Sequence, residues 1–122
     1  MGKILVVDDD RVLGEMLQFM LRQEGHEVAF LKNPQLTQAH LLEDGTDLVL
    51  LDKLMLQLDG SDLCRGIKAD KRTARIPVLM MSGLEESRSK CLNAGADGFL
   101  SKPFDREELL NMVGQFLSEA PE

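Results

Sequence analysis

Residues 48–52 read Leu-Val-Leu-Leu-Asp, and residues 4–10 read Ile-Leu-Val-Val-Asp-Asp-Asp. Both are continuous apolar runs of strand length that end abruptly in carboxylates. A half-exposed strand would alternate apolar and polar residues. Runs apolar at nearly every position belong to strands covered on both faces. A third run, Ile76 to Met81, has the same character, and Val28 to Leu31 and Gly98-Phe99-Leu100 are shorter candidates.

Helical spacing fills the gaps between these runs. Val12, Leu13, Met16, Leu17 and Met20 recur at helical intervals before Gly25. Pro34 opens a helix to about Glu43, with Leu36, Ala39 and Leu42 on one side. Leu63, Cys64 and Ile67 share a face after Gly60, and a further helix runs from about Glu85 to Asn93 before Gly95. The last helix spans about Asp105 to Leu117, with Leu109, Leu110, Val113, Phe116 and Leu117 as its apolar side. Strands alternating with helices predict an α/β fold, a doubly wound five-stranded parallel sheet with right-handed crossovers. Ligands of such sheets bind beyond the carboxyl ends of the strands.

What the sequence places at those ends is chemically selective. Asp8, Asp9 and Asp10 follow the first strand, Asp52 the third, Ser82 and Gly83 the fourth, and Ser101, Lys102 and Pro103 the fifth. Asp10 reads as a helix N-cap. Carboxylates gathered in one place repel unless a cation intervenes. Mg2+ accepts carboxylate oxygens and keeps several waters, so it suits this set. The Lys102 ammonium suits a phosphoryl oxygen, and the Ser82 hydroxyl can donate one hydrogen bond. A carboxylate that attacks phosphorus forms an acyl phosphate.

Charge and composition exclude other classes. Among 122 residues, 21 acids against 14 bases give a net charge of −7, which disfavours direct binding to nucleic acid or an anionic membrane. There is no Trp, no Tyr and no GxxxxGK run, which argues against a flavin carrier and a P-loop NTPase. Cys64 and Cys91 lack metal or CxxC spacing and read as buried thiols of a reducing cytoplasm. No signal peptide or membrane span is legible at the N-terminus. Gly14, Gly66 and Gly114 fall inside predicted helices, where close helix packing is the default reason for a glycine. Asp59-Gly60 and Asp97-Gly98 read as turns, and Met16, Met20, Met80 and Met81 as core.

Five motifs, in order and each at its element end, resemble the receiver domain of two-component response regulators. They are Ile4-Leu5-Val6-Val7-Asp8-Asp9, Leu51-Asp52 with Met55 and Asp59-Gly60, Pro77 to Gly83, Gly95-Ala96-Asp97-Gly98-Phe99, and Lys102-Pro103-Phe104. The resemblance implies a flavodoxin-like receiver fold with strand order 2-1-3-4-5. It implies Asp52 as phosphoacceptor, and Mg2+ held by Asp8, Asp9, Asp52 and the backbone carbonyl of Leu54. Ser82 would be the switch hydroxyl, Lys102 the phosphoryl counter-ion, Phe99 the aromatic that follows the switch, and Lys102-Pro103 a cis peptide. Leu54 and Leu84 would flank the acyl phosphate and hinder its hydrolysis.

The resemblance also implies a cytoplasmic switch rather than a conventional enzyme, one that catalyses only its own phosphorylation and dephosphorylation. A histidine kinase or phosphotransfer protein would be the donor. The surface of the fourth helix, fifth strand and fifth helix would control an output domain, a partner, or a phosphorylation-dependent dimer. Residues 1–118 would form the receiver domain and 119–122 a tail or the start of a linker. Two features depart from the family pattern. Leu56 stands where proline is usual, and Lys53 sets a positive charge beside the acceptor. Leu56 is the feature that leans toward an alternative, a non-phosphorylated pseudo-receiver serving as an interaction module. Residues 111–115 lack the basic groups usual late in the last helix of winged-helix regulators, which disfavours that branch.

Overall fold

A computed structural model of the chain describes residues 2–55 and 58–118, excluding the side chains of Asp44 and Ser118. Leu56 and residues 119–122 lie outside the described residues. The elements follow in order: β1 Lys3–Val7, α1 Arg11–Gln23, β2 Glu27–Leu31, α2 Thr37–Asp44, β3 Leu48–Asp52, β4 Leu54–Met55, β5 Leu58–Asp59, α3 Gly60–Ala69, β6 Val78–Ser82, α4 Arg88–Asn93, β7 Gly98–Ser101 and α5 Arg106–Ser118. Single 3-10 turns, Pro34–Leu36 and Glu85–Ser87, lead into α2 and α4.

Five strands form one parallel sheet in the order β2-β1-β3-β6-β7. The short β4 and β5 pair with each other in an antiparallel hairpin, Leu54 with Asp59 and Met55 with Leu58. Apart from that hairpin, which the sequence reading did not foresee, this is the predicted 2-1-3-4-5 order.

Strand alternation sorts the core into two halves. Leu5, Val7, Val49, Leu51, Val78 and Met80 pack on one side with Leu41 of α2, Cys64 and Ile67 of α3, and Cys91 of α4. Ile4, Val6, Leu48, Leu50, Leu79 and Met81 pack on the other with Leu17 and Leu21 of α1 and Leu109 and Val113 of α5. Two-sided coverage is why β1, β3 and β6 are apolar at all but one terminal position. Both cysteines are buried free thiols, and burial pushes each thiol pKa up, that of Cys64 to about 11. No helix among the described residues is long and apolar enough to cross a membrane.

Several expectations need correction. The expected face of α2 is its solvent face: Leu36, Ala39 and Leu42 are exposed, and Thr37 and Leu41 are buried instead. Three apolar residues at spacings of three mimic a core stripe, but only Leu41 meets the sheet. On α1, Val12 and Met16 are exposed along with Phe19, so Met16 is surface rather than core. Close packing explains only one of the three glycines expected inside helices. A Cβ on Gly14 would stand 2.4 Å from the Phe30 ring, whereas nothing lies within 4 Å of the corresponding positions on Gly66 and Gly114.

Candidate functional site

Register brings the predicted residues together. Val7 is abreast of Leu51 on the neighbouring strand, so the next residues, Asp8 and Asp52, emerge side by side. Asp52 is itself abreast of Met81, and Ser82 abreast of Ser101. Two hydrogen bonds carry the alignment past the strands, Lys53 N–H to the Met81 carbonyl at 2.8 Å and Lys102 N–H to the Ser82 carbonyl at 2.8 Å.

Carboxylate oxygens of Asp8, Asp9 and Asp52 all lie within 4.8 Å of one another. Asp8 is fully buried and Asp52 is 5% exposed. Lys102 Nζ donates to Asp52 Oδ1 at 3.0 Å and stands 3.5 Å from Asp8 Oδ2. Asp8 Oδ1 accepts the Asp10 N–H at 2.9 Å, but the buried Asp8 Oδ2 has no hydrogen-bond partner. A buried carboxylate oxygen without a hydrogen bond, in a cluster of three carboxylates with one ammonium nearby, is an oxygen site short of positive charge. The residues therefore fit a hard divalent cation with oxygen ligands.

Asp52 shows the same shortage. Its burial pushes the pKa up to about 6; the Lys102 hydrogen bond works against that rise and the nearby Asp8 charge adds to it. One ammonium serves two buried carboxylates, which is too little to neutralise both.

The other predicted residues take distinct positions. Ser82 is buried at the end of β6, and its Oγ accepts the Leu84 N–H at 3.1 Å. Phe99 is buried on β7, with the Arg88 guanidinium 4.9 Å from its ring centroid. The Lys102-Pro103 peptide is cis, as the resemblance implied. Asp10 caps α1, accepting the Leu13 N–H at 3.2 Å. Leu54 lies in β4 and Leu84 precedes the 3-10 turn, and both side chains are exposed.

Asp59, Gly60 and Lys53 carry more than turn chemistry. Asp59 caps α3 by accepting the Ser61 N–H at 2.9 Å. Its Oδ2 also takes Lys53 Nζ at 3.1 Å and Lys90 Nζ at 2.9 Å. Lys53 therefore turns its charge to Asp59. The N-cap position of Asp59 was legible from an Asp followed by helical spacing; its two ammonium partners, from the residue after β3 and from α4, were not. Gly60 is required by a close approach, because a Cβ there would lie 2.1 Å from the Asp52 carbonyl oxygen.

Comparison with known proteins agrees with this geometry. Residues 4–114 match the family model of the response regulator receiver domain. Over 119 residues the chain is 39% identical to the transcriptional regulatory protein CpxR of Escherichia coli, covering 96% of this chain and 50% of CpxR. It is 35% identical over 119 residues to the DNA-binding dual master transcriptional regulator RpaA of Synechocystis, covering 96% and 49% respectively. The chain thus spans about half the length of these curated relatives. Among solved structures it resembles the receiver domain of a sensor histidine kinase from Pseudomonas aeruginosa, which has a magnesium ion coordinated in its active-site cleft. That likeness has a TM-score of 0.88 and 28% identity, over 97% of this chain and 98% of the other. Motifs, topology, acidic edge and relatives converge, and the chain belongs to the response regulator receiver domain family.

Proposed function

We propose that the chain accepts a phosphoryl group on Asp52, from a histidine kinase or phosphotransfer protein, and relays its phosphorylation state through the surface of α4, β7 and α5. The observation that carries the reading is Lys102 Nζ at 3.0 Å from a buried Asp52 carboxylate, beside Asp8 Oδ2, which has no hydrogen bond. A carboxylate oxygen of Asp52 forms the new O–P bond. The P–N bond of a phosphohistidine breaks, and the departing imidazole nitrogen takes up a proton. Asp8 and Asp9, with Asp52 and the Leu54 carbonyl, would hold Mg2+. The bound ion would offset the negative charge shared by the carboxylates and the incoming phosphoryl oxygens.

Lys102 would pair with a phosphoryl oxygen, and the Ser82 hydroxyl would turn to donate to it. Phe99, beneath Arg88, would follow that rotation. Ionised Asp52 is the nucleophile: burial raises its pKa to about 6, and a bound Mg2+ would favour the ionised form. The chain would catalyse only its own phosphorylation and dephosphorylation. Its relatives CpxR and RpaA are named as transcriptional regulators, which supports control of an output domain despite the missing basic residues at 111–115. A surface bearing −7 overall leaves nucleic acid to that output domain. The pseudo-receiver alternative leaned on Leu56, and a complete acidic edge with its lysine weighs against it.

Incubation with acetyl phosphate and Mg2+, followed by intact mass, tests the reading. One phosphoryl adduct is expected on the wild type, absent with EDTA and absent in Asp52→Ala. The adduct should decay slowly, because exposed Leu54 and Leu84 would obstruct water. No adduct on the wild type, or one that survives Asp52→Ala, overturns the proposal.

A further inference from the structure

Helix α4 is held in place by very little. It has six residues, about one and a half turns, and its only buried residue is Cys91. Its polar tethers therefore weigh heavily. One is the Lys90 ammonium on Asp59 Oδ2 at 2.9 Å. Asp59 sits on the hairpin that begins two residues after Asp52, and its Oδ2 also holds Lys53, the residue next to Asp52. The Lys53 carbonyl accepts the Gly60 N–H at 2.7 Å, which closes the segment between them. One carboxylate oxygen thus joins the segment after the acceptor strand to α4.

The two halves of this joint differ. Asp59 keeps Lys53, the Ser61 hydroxyl and the Ser61 N–H whether or not Lys90 is present. The Lys90 side chain is 56% exposed and loses little on returning to water. The joint can open at Lys90 without leaving a buried charge unpaired.

Ser82 supplies the reason for it to open. Its Oγ is engaged by the Leu84 N–H. Turning the hydroxyl toward a phosphoryl group on Asp52 disturbs that contact, and residues 83–87 run straight into α4. We infer that the Lys90–Asp59 pair is an electrostatic brake, which holds α4 in the unphosphorylated arrangement and is released when Ser82 engages the phosphoryl group. The inference rests on the proposed phosphoacceptor role of Asp52. A contact made in only one of two states shifts their balance by its own strength, and it does so at the distant site as well.

Beryllofluoride affinity in Mg2+, measured by calorimetry, tests it. Lys90→Gln should bind about two- to five-fold more tightly than the wild type, the range expected of an exposed pair. Lys90→Arg should restore wild-type affinity. The ratio should shrink toward one at about 1 M salt, where the screening length falls to about 3 Å. Asp59→Asn keeps a capping side chain but removes the charge, and in that background Lys90→Gln should change nothing. Unchanged or weaker binding by Lys90→Gln, or an effect that persists in Asp59→Asn, overturns the brake. Failure of the wild type to bind beryllofluoride overturns the phosphoacceptor reading itself and the brake with it.

Discussion

Asp52 and Asp59 stand at the two ends of one short segment, and their surroundings push them in opposite directions. Burial works to raise the pKa of both. Asp52 has one ammonium, shared with Asp8, and a carboxylate neighbour, and it is pushed up to about 6. Asp59 is more exposed. Hydrogen bonds from Ser61, Lys90 and Lys53 outweigh its partial burial and hold it well below the usual carboxylate range. Depth and the number of donors together separate them. A carboxylate with every oxygen satisfied can only brace the fold. One left short of positive charge, in a cluster that is also short, keeps the capacity to take a cation or to attack phosphorus.

The largest expected effect comes from removing the saturated partner. Asp59→Ala deletes the α3 cap, worth about 1 kcal/mol. It also strips the partner from the Lys53 ammonium, whose side chain is only 11% exposed, adding about 1–2 kcal/mol. A loss of about 2–3 kcal/mol in denaturant unfolding is expected, and Asp59→Asn, which keeps the cap, should lose about 1 kcal/mol less. Because the folded pKa of Asp59 is depressed, its contribution is present above the unfolded value of 3.8 and is lost as pH falls below it. The gap between wild type and Asp59→Ala should therefore be flat at neutral pH and narrow in acid. Equal losses for Ala and Asn would break the contrast with Asp52.

Asp52 should give the opposite sign. Its folded pKa of about 6 lies above the unfolded 3.8, so ionising it in the fold carries a penalty. That penalty is absent below 3.8 and complete above about 6. Asp52→Asn, unfolded in EDTA, should be more stable than the wild type at pH 7–8 by about 1–2 kcal/mol after solvent screening. The gain should fade as pH drops from 6 to below 4. A variant less stable than the wild type at pH 8 would mean that Lys102 more than compensates the buried charge.

The two aspartates also mark how far the sequence could be read. Two-sided burial leaves an unbroken apolar signature, so β1, β3 and β6 were plain, and parallel register then forces Asp8, Asp52, Ser82 and Lys102 to one edge. Asp52 was legible because its position at the edge depends only on where strands end. The partners of Asp59 were not, because a Lys53–Asp59–Lys90 joint depends on side-chain directions across the end of β3, the hairpin and α4, and no local pattern encodes them. A two-residue strand such as β4 has too few positions to show alternation. The misplaced face of α2 has a related cause. Eight residues make about two turns, and Leu36, Ala39 and Leu42 form as regular a stripe as the true anchor at Leu41.

The smallest expected effect tests how the loss in Asp59→Ala divides. Gly66 lies inside α3, is exposed, and has open space where a Cβ would sit. Gly66→Ala should stabilise the fold by about 1 kcal/mol, through helix propensity and a less flexible unfolded chain. Gly14→Ala should do the reverse, since its Cβ would meet the Phe30 ring at 2.4 Å. The informative measurement is Gly66→Ala in the Asp59→Ala background. If the uncapped helix stays intact, the two effects add, and the loss beyond one cap belongs to the stranded Lys53 ammonium. If the uncapped helix frays, strengthening its interior recovers more than about 1 kcal/mol, and the excess marks loss of helix rather than loss of an ion pair. An additive result keeps Asp59 as the charge-saturated counterpart of Asp52; a strongly non-additive one reduces it to a cap.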